Sequence, residues 1–168
     1  MEKVAVFEKV SINQFCKDRF GYPYDENCVD TKSEHDALEL PKRKTKGSAG
    51  YDFHSPFSFI LNSGESILIP TGVRVRINDG WVLKCYPRSG LGTKYEVMIA
   101  NTVGIIDADY YYSDNEGHIM IKLKNNGPKN LEVNIGDSFA QGIFVPFGIT
   151  YDDDACGVRN GGFGSTGR

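Results

Sequence analysis

From residue 51 onward, apolar and polar side chains alternate in short runs. Val73, Val75 and Ile77 are separated by Arg74 and Arg76. Ile119, Ile121 and Leu123 alternate with Met120, Lys122 and Lys124, and Leu131, Val133 and Ile135 with Glu132 and Asn134. A period of two sends successive side chains to opposite faces, so each run predicts a half-buried strand. Turn residues punctuate the runs at Asn62-Ser-Gly, Asn78-Asp-Gly, Asn126-Gly-Pro and Gly136-Asp. Short strands at this spacing, without βαβ signals or an internal repeat, predict an all-β antiparallel sandwich or barrel.

The pattern before residue 41 is different. Residues Val4 to Val10 alternate weakly and predict a first strand. Ser11 and Gln14 form a capping-box pair, Ile12, Phe15 and Cys16 share one helical face, and Gly21 ends a short N-terminal helix. Residues 22–40 are polar, acidic and poorly periodic, apart from a helical turn near Ser33–Leu40. The chain therefore reads as one domain, 1–168, in which 11–40 is a helix and acidic-loop insertion.

Composition narrows the function classes. With 168 residues, 40% hydrophobic and 24% charged, the chain is an ordinary globular domain. Its net charge of -3 gives no global field toward nucleic acid, so no direct nucleic-acid partner is expected and any polyanion must be held by local cations. Cys16, Cys28, Cys85 and Cys156 have neither CxxC nor metal-ligand spacing, which predicts free thiols in a reducing compartment. Lys3, Glu8 and Lys9 break the first ten residues, so no signal-peptide core is read, and no apolar run is of membrane-spanning length. A cytoplasmic protein is expected, with no membrane partner. The run Pro41-Lys-Arg-Lys-Thr-Lys46 reads as a solvated loop, a nuclear-import signal being the rival reading.

Four segments carry residues that a core does not want. Ala49-Gly-Tyr-Asp-Phe53 sets an acid between aromatics after a glycine turn. Pro87-Arg-Ser-Gly-Leu-Gly-Thr-Lys94 combines two glycines with Arg88, Ser89, Thr93 and Lys94. That composition reads as an anion cradle of backbone donors and cations, without the Walker spacing. In Asn101-Thr-Val-Gly-Ile-Ile-Asp-Ala-Asp-Tyr110, Asp107 directly follows Ile105 and Ile106, which are expected to be buried. A carboxylate at a core edge suits a general base, and a turn cap is the structural alternative. Tyr110 stands among polar hairpin residues and reads as a surface aromatic. Finally, Arg159-Asn-Gly-Gly-Phe-Gly-Ser-Thr-Gly-Arg168 sets one ring and several donors among glycines, as an arm closing over a flat anionic ligand would.

Taken in order, AGYDF, PRSGLG, NTVGIIDADY, GDSFAQGIF and RNGGFGSTG closely resemble the ordered motifs of the trimeric dUTP diphosphatase (dUTPase) family, over residues 41–168. The resemblance implies a jelly-roll homotrimer whose active sites are shared between subunits. It implies hydrolysis of dUTP to dUMP and pyrophosphate, which limits uracil incorporation into DNA and supplies dUMP for thymidylate synthesis. By that similarity Asp107 activates the water attacking the α-phosphorus, and Tyr110 packs on the deoxyribose. Asn101, Gly104, Ile105 and Ile106, with main chain at Met120, read the uracil. Arg88, Ser89, Gly90 and Gln141 contact phosphates. Mg²⁺ rides on the triphosphate through water, with Asp52 nearby and no direct protein ligand. Residues 158–168 form a mobile C-terminal lid, in which Phe163 stacks on uracil while Arg159, Gly164, Ser165 and Thr166 close on the substrate.

The chain departs from the family pattern in three places. Residues 111–116 lengthen a hairpin tip that is commonly a Tyr-Arg-Gly turn, and Glu116 stands where many members carry arginine. Arg159 lies one residue closer to Phe163 than usual, and the 11–40 insertion is additional. Two other readings remain open. A dCTP deaminase on the same fold would need an acid and base near the ring amine, and a non-catalytic nucleotide sensor would use the insertion for a protein partner.

Overall fold

Eleven strands form among residues 2–25 and 29–161, the part of the chain that the computed structural model describes. In chain order they are β1 (Ala5–Lys9), β2 (Tyr51–His54), β3 (Phe59–Leu61), β4 (Ser66–Pro70), β5 (Val73–Ile77), β6 (Trp81–Pro87), β7 (Val97–Ile99), β8 (Gly104–Ile106), β9 (Met120–Asn125), β10 (Leu131–Val133) and β11 (Ser138–Pro146). Every pairing is antiparallel. The order β2-β11-β6-β8 makes a four-stranded sheet and β4-β9-β7 a three-stranded one, with β1-β5 and β10-β3 as flanking pairs. Phe53, Leu61, Ile69, Leu83, Leu123 and Phe139 fill the space between them and are almost wholly inaccessible.

Alternation becomes strand where it is strongest. In β5, Val73, Val75 and Ile77 are buried while Arg76 is exposed. The third expected run is shorter than its pattern: β10 stops at Val133, and Ile135 is exposed in the turn that Gly136 completes. A register shift between Ser138 and Ala140 leaves Phe139 as the extra residue of a bulge in β11, with its ring in the core.

The helical content exceeds the single N-terminal helix expected. That helix, α1 (Ile12–Phe20), is capped by Ser11 and closed by Gly21 at φ 83, as its sequence predicts. A second, α2 (Val29–Ala37), replaces part of the expected acidic loop, and its range overlaps the helical turn read near Ser33–Leu40. A third, α3 (Ser89–Tyr95), gives the expected glycine cradle a helical backbone. The capping box is also completed differently. Ser11 Oγ accepts from Gln14 N at 3.1 Å, but the Gln14 side chain turns to Asp18. The Ser11 N–H instead donates to Glu116, 105 residues away, at 2.7 Å.

The excursion between β1 and β2 packs on the sandwich through its own small core of Val10, Phe15 and Leu38. Both of its ends converge on Gly72. Val10 N donates to Gly72 O at 3.0 Å, and Leu38 lies so close that a Cβ at position 72 would run into its side chain. With φ at 73, Gly72 also needs the backbone freedom that only glycine has cheaply. Cys85 and Cys156 are free thiols, and Cys28 lies outside the described residues. No described helix is long and apolar enough to cross a membrane.

Candidate active site

In its sheet β8 is one of the two outer strands, paired only with β6: Leu83 opposite Ile106, Lys84 opposite Ile105 and Cys85 opposite Gly104. An outer strand leaves one row of N–H and C=O groups without strand partners, which suits recognition of a flat ring by its edge. Beside it opens a cavity of about 440 Å³. Gly104, Ile105 and Ile106 form one wall, Met120 to Lys122 of β9 another, and Asn101, Tyr110 and Arg159 part of the rim. Ile105 is therefore 49% exposed and Ile106 only half-buried, contrary to the expectation that both enter the core. Asn101 lies in a tight reversal in which Val103 N donates to Asn101 O at 2.8 Å and Thr102 takes φ 71.

Asp107 leads from β8 into a 3-10 turn, Ala108–Tyr112. Its side chain is 40% exposed, so the carboxylate is not dehydrated in the manner a core edge suggested. Arg159 occupies it. One guanidinium nitrogen binds Asp107 Oδ2 at 2.5 Å, Nε lies 2.9 Å from Asp109, and the group sits 5.9 Å from the centre of the Tyr110 ring. This ion pair places the candidate base in direct contact with Arg159, the first residue of the arm expected to bind an anion.

Tyr110 departs from the sequence expectation. It is buried, because the 3-10 turn folds the 111–116 tip down instead of extending a hairpin. Its hydroxyl donates to His118 O and accepts from Asn115 Nδ2, both at 2.8 Å. Burial pushes the phenol up, only partly offset by the Asn115 bond, so a neutral donor faces the carbonyl. Two bonds at the ring's far end fix how far it reaches into the cavity. Gly117 closes the turn at φ 68, where a Cβ would lie 2.6 Å from Tyr111 Cα and 2.7 Å from Tyr110 O. No other residue fits there without shifting Tyr110.

The expected phosphate contacts form a second group. Arg88 lies just before α3, and its carbonyl accepts from Leu91 and Gly92, leaving the Ser89 and Gly90 N–H groups in the unpaired first turn. Register sets Gln141 of β11 beside Asp52 of β2 on one side and Tyr86 of β6 on the other. Gln141 Nε2 donates to Pro87 O at 3.3 Å. The Asp52 carboxylate, only 9% exposed, lies 3.5 Å from both Arg88 Nε and Lys44 Nζ. Arg88, Ser89, Gly90 and Gln141 do not line the cavity of their own chain. Phe163, Gly164, Ser165 and Thr166 lie outside the described residues.

Sequence reasoning missed Lys44, Lys122 and His118. Lys44 was read as part of a solvated charge run and Lys122 as the polar side of a strand. His118 carries no local periodic signal, because its side-chain partner is 100 residues away.

An antiparallel sandwich with a ring-sized cavity at an outer strand, and cationic donors further along the same sheet, has the features of a nucleotide-binding domain. Comparison with known proteins narrows this. A dUTPase family model matches residues 36–167. The deoxyuridine 5'-triphosphate nucleotidohydrolase of Lactococcus lactis is 39% identical over 142 residues, covering 83% of this chain and 95% of that protein. Its counterpart from Hahella chejuensis is 38% identical over 138 residues, covering 77% and 88%. The crystal structure of the Streptococcus mutans dUTPase aligns with a TM-score of 0.64 at 33% identity, covering 86% of this chain and 97% of that one. The chain belongs to the dUTPase family, the dUTP diphosphatases.

Proposed function

We propose that the chain hydrolyses dUTP to dUMP and pyrophosphate, with Asp107 deprotonating the water that attacks the α-phosphorus. The observation that carries this reading is the Asp107 carboxylate, next in the chain to the wall residue Ile106 and held by Arg159, a lining cation that a polyphosphate can draw away. The outer edge of β8 reads the base. Uracil presents a ring N–H flanked by carbonyl oxygens, and cytosine puts an amine donor where uracil has an acceptor. Backbone donors fixed for an acceptor reject that amine, because a misplaced donor leaves both groups unpaired.

Once the base is seated, Tyr110 stands against the sugar. Its ring, fixed at the hydroxyl, leaves no room for a ribose 2′-hydroxyl. The phosphates take Arg88, the Ser89 and Gly90 N–H groups and Gln141. Arg159 transfers from Asp107 to the phosphates, which frees the base only when substrate is present. Asp52 offers a single carboxylate beside two cations, which fits a magnesium ion held on the triphosphate through its own water better than a protein cage. When bound, the ion offsets phosphate charge.

Arg88, Ser89, Gly90 and Gln141 are absent from the cavity of their own chain, which supports a site completed between copies in a homotrimer. Mixing inactive Asp107→Asn with inactive Arg88→Ala protein, after dissociation and reassembly, is expected to restore activity in part. No recovery in a mixture shown to have exchanged subunits would count against shared sites. Pyrophosphate release from dUTP, dCTP, dTTP and UTP tests the function itself. Strong preference for dUTP is expected; turnover of dCTP at the ring amine would favour a deaminase, and binding without turnover a sensor. In the same assay Tyr110→Ala is expected to raise UTP hydrolysis relative to dUTP by about tenfold or more, as a lost steric or hydrogen-bond discrimination of 1–3 kcal/mol implies. An unchanged ratio in an active variant would remove Tyr110 from sugar choice.

A further inference from the structure

His118 is wholly buried, and both of its ring nitrogens are engaged. Nε2 lies 2.8 Å from the Gly72 N–H, a group that can only donate, so this nitrogen accepts and carries no proton. The ring proton is therefore on Nδ1, which donates to Asp18 Oδ2 of α1 at 2.6 Å. Burial acts to raise the Asp18 carboxyl. Hydrogen bonds from His118 and Gln14 outweigh it and hold the group below its ordinary value, as the ionised acceptor. The main-chain carbonyl of the same histidine accepts the Tyr110 hydroxyl. Phe15 of α1 packs 6.4 Å from the imidazole, ring centre to ring centre.

A second attachment lies two residues earlier. The Glu116 carboxylate binds the Ser11 hydroxyl at 2.6 Å as well as the Ser11 N–H. Gly117, which admits no side chain, stands between the two anchored residues. Thus α1 grips the segment that carries the Tyr110 hydroxyl's acceptor from both sides of its one sterically fixed glycine. No residue of α1 lines the cavity, so its effect on substrate passes through the wall: through Tyr110, which bonds the His118 carbonyl, and through Ile119 and Met120, which follow His118.

We propose that α1 braces the sugar-side wall of the cavity, with Asp18, His118 and Glu116 acting as positioning residues that hold Tyr110 at the depth where it excludes a ribose nucleotide. The inference rests on the reading that Tyr110 selects the sugar. It assigns the 11–40 excursion a role in substrate selectivity, exerted from outside the family motifs.

The test compares full-length Asp18→Ala, Asp18→Asn, Glu116→Ala and Tyr110→Ala with wild type, measuring kcat and KM for dUTP and UTP alongside thermal melting. In Asp18→Ala, KM for dUTP and the UTP-to-dUTP ratio of kcat/KM are each expected to rise about three- to tenfold, with kcat within about twofold, as a small misplacement of a positioning group implies. Asp18→Asn is expected to recover most of both, because its amide oxygen still accepts from Nδ1. A general loss of stability would not raise the UTP ratio or be rescued this way. Glu116→Ala severs the brace at a partly exposed contact and is expected to shift the ratio in the same direction, so the test survives if Asp18→Ala does not fold. Wild-type ratios in the folded brace variants, beside a raised ratio in Tyr110→Ala, would overturn the brace alone. An unchanged ratio in active Tyr110→Ala would overturn the sugar-wall reading and the inference with it.

Discussion

Turnover of dUTP in Asp107→Asn is expected to fall by about 10²- to 10⁴-fold, the usual worth of a positioned general base. The substitution keeps the size of the side chain, and its amide oxygen still accepts from Arg159, so the local ion pair becomes a hydrogen bond from a cation to a neutral acceptor without a cavity. What is lost is a site that can take a proton. Affinity for a non-hydrolysable dUTP analogue should change by far less than turnover, since the proposed role of Asp107 is to act on water rather than to hold the base. Single-turnover pyrophosphate release and calorimetric titration of the analogue separate the two quantities. A variant that keeps near wild-type turnover would take Asp107 out of the chemistry.

Truncation after Val158 is expected to lower turnover by about 10²-fold or more while leaving the sandwich intact. The cut removes Arg159, whose charge-assisted contacts are each worth about 1.5–3 kcal/mol. It also removes Phe163, for which base stacking is worth about 1–3 kcal/mol. Those contributions are not additive, but taken together they reach about 2.5–6 kcal/mol, a range that contains the 2.7 or so kcal/mol of a hundredfold change. The fold should not notice, because β11 ends at Pro146 and residues 147–158 are exposed. Melting temperature and sedimentation should therefore match the full chain. A truncated protein with full activity would exclude the arm from the catalytic cycle. One that dissociates or melts early would make the arm structural.

Legibility in the sequence followed the range of the forces involved. Alternation exposed β5 and β9 because a strand's side-chain period is local and the residues flanking it are strongly polar. The Ser11 and Gly21 signals located both ends of α1 for the same reason. By contrast, α3 was hidden by Gly90 and Gly92, each of which costs about 1 kcal/mol in a helix. Packing of Leu91 and Tyr95 on the core, with a left-handed Glu96 as the cap, overrides that cost. Tyr110 was misread because its burial depends on a folded-down tip and on bonds to Asn115 and His118 that no periodicity encodes. The cavity wall at Gly104–Ile106 and Met120 was legible through the family resemblance, whereas the exposure of Ile105 was not. An isoleucine pair looks like core until β8 is known to be an outer strand.

Gly72 carries a consequence for how such a chain is modified, by evolution or by design. Departure from β1 and return toward β2 meet at this one residue, so the excursion between Val10 and Leu38 is closed at its base. Lengthening a segment that is already closed is cheap, about 0.6 kcal/mol for each doubling of its length. New folded sequence can thus be seated there without re-registering either strand. On the proposed bracing role of α1, exchanging the excursion is expected to retune substrate discrimination while the family motifs stay untouched.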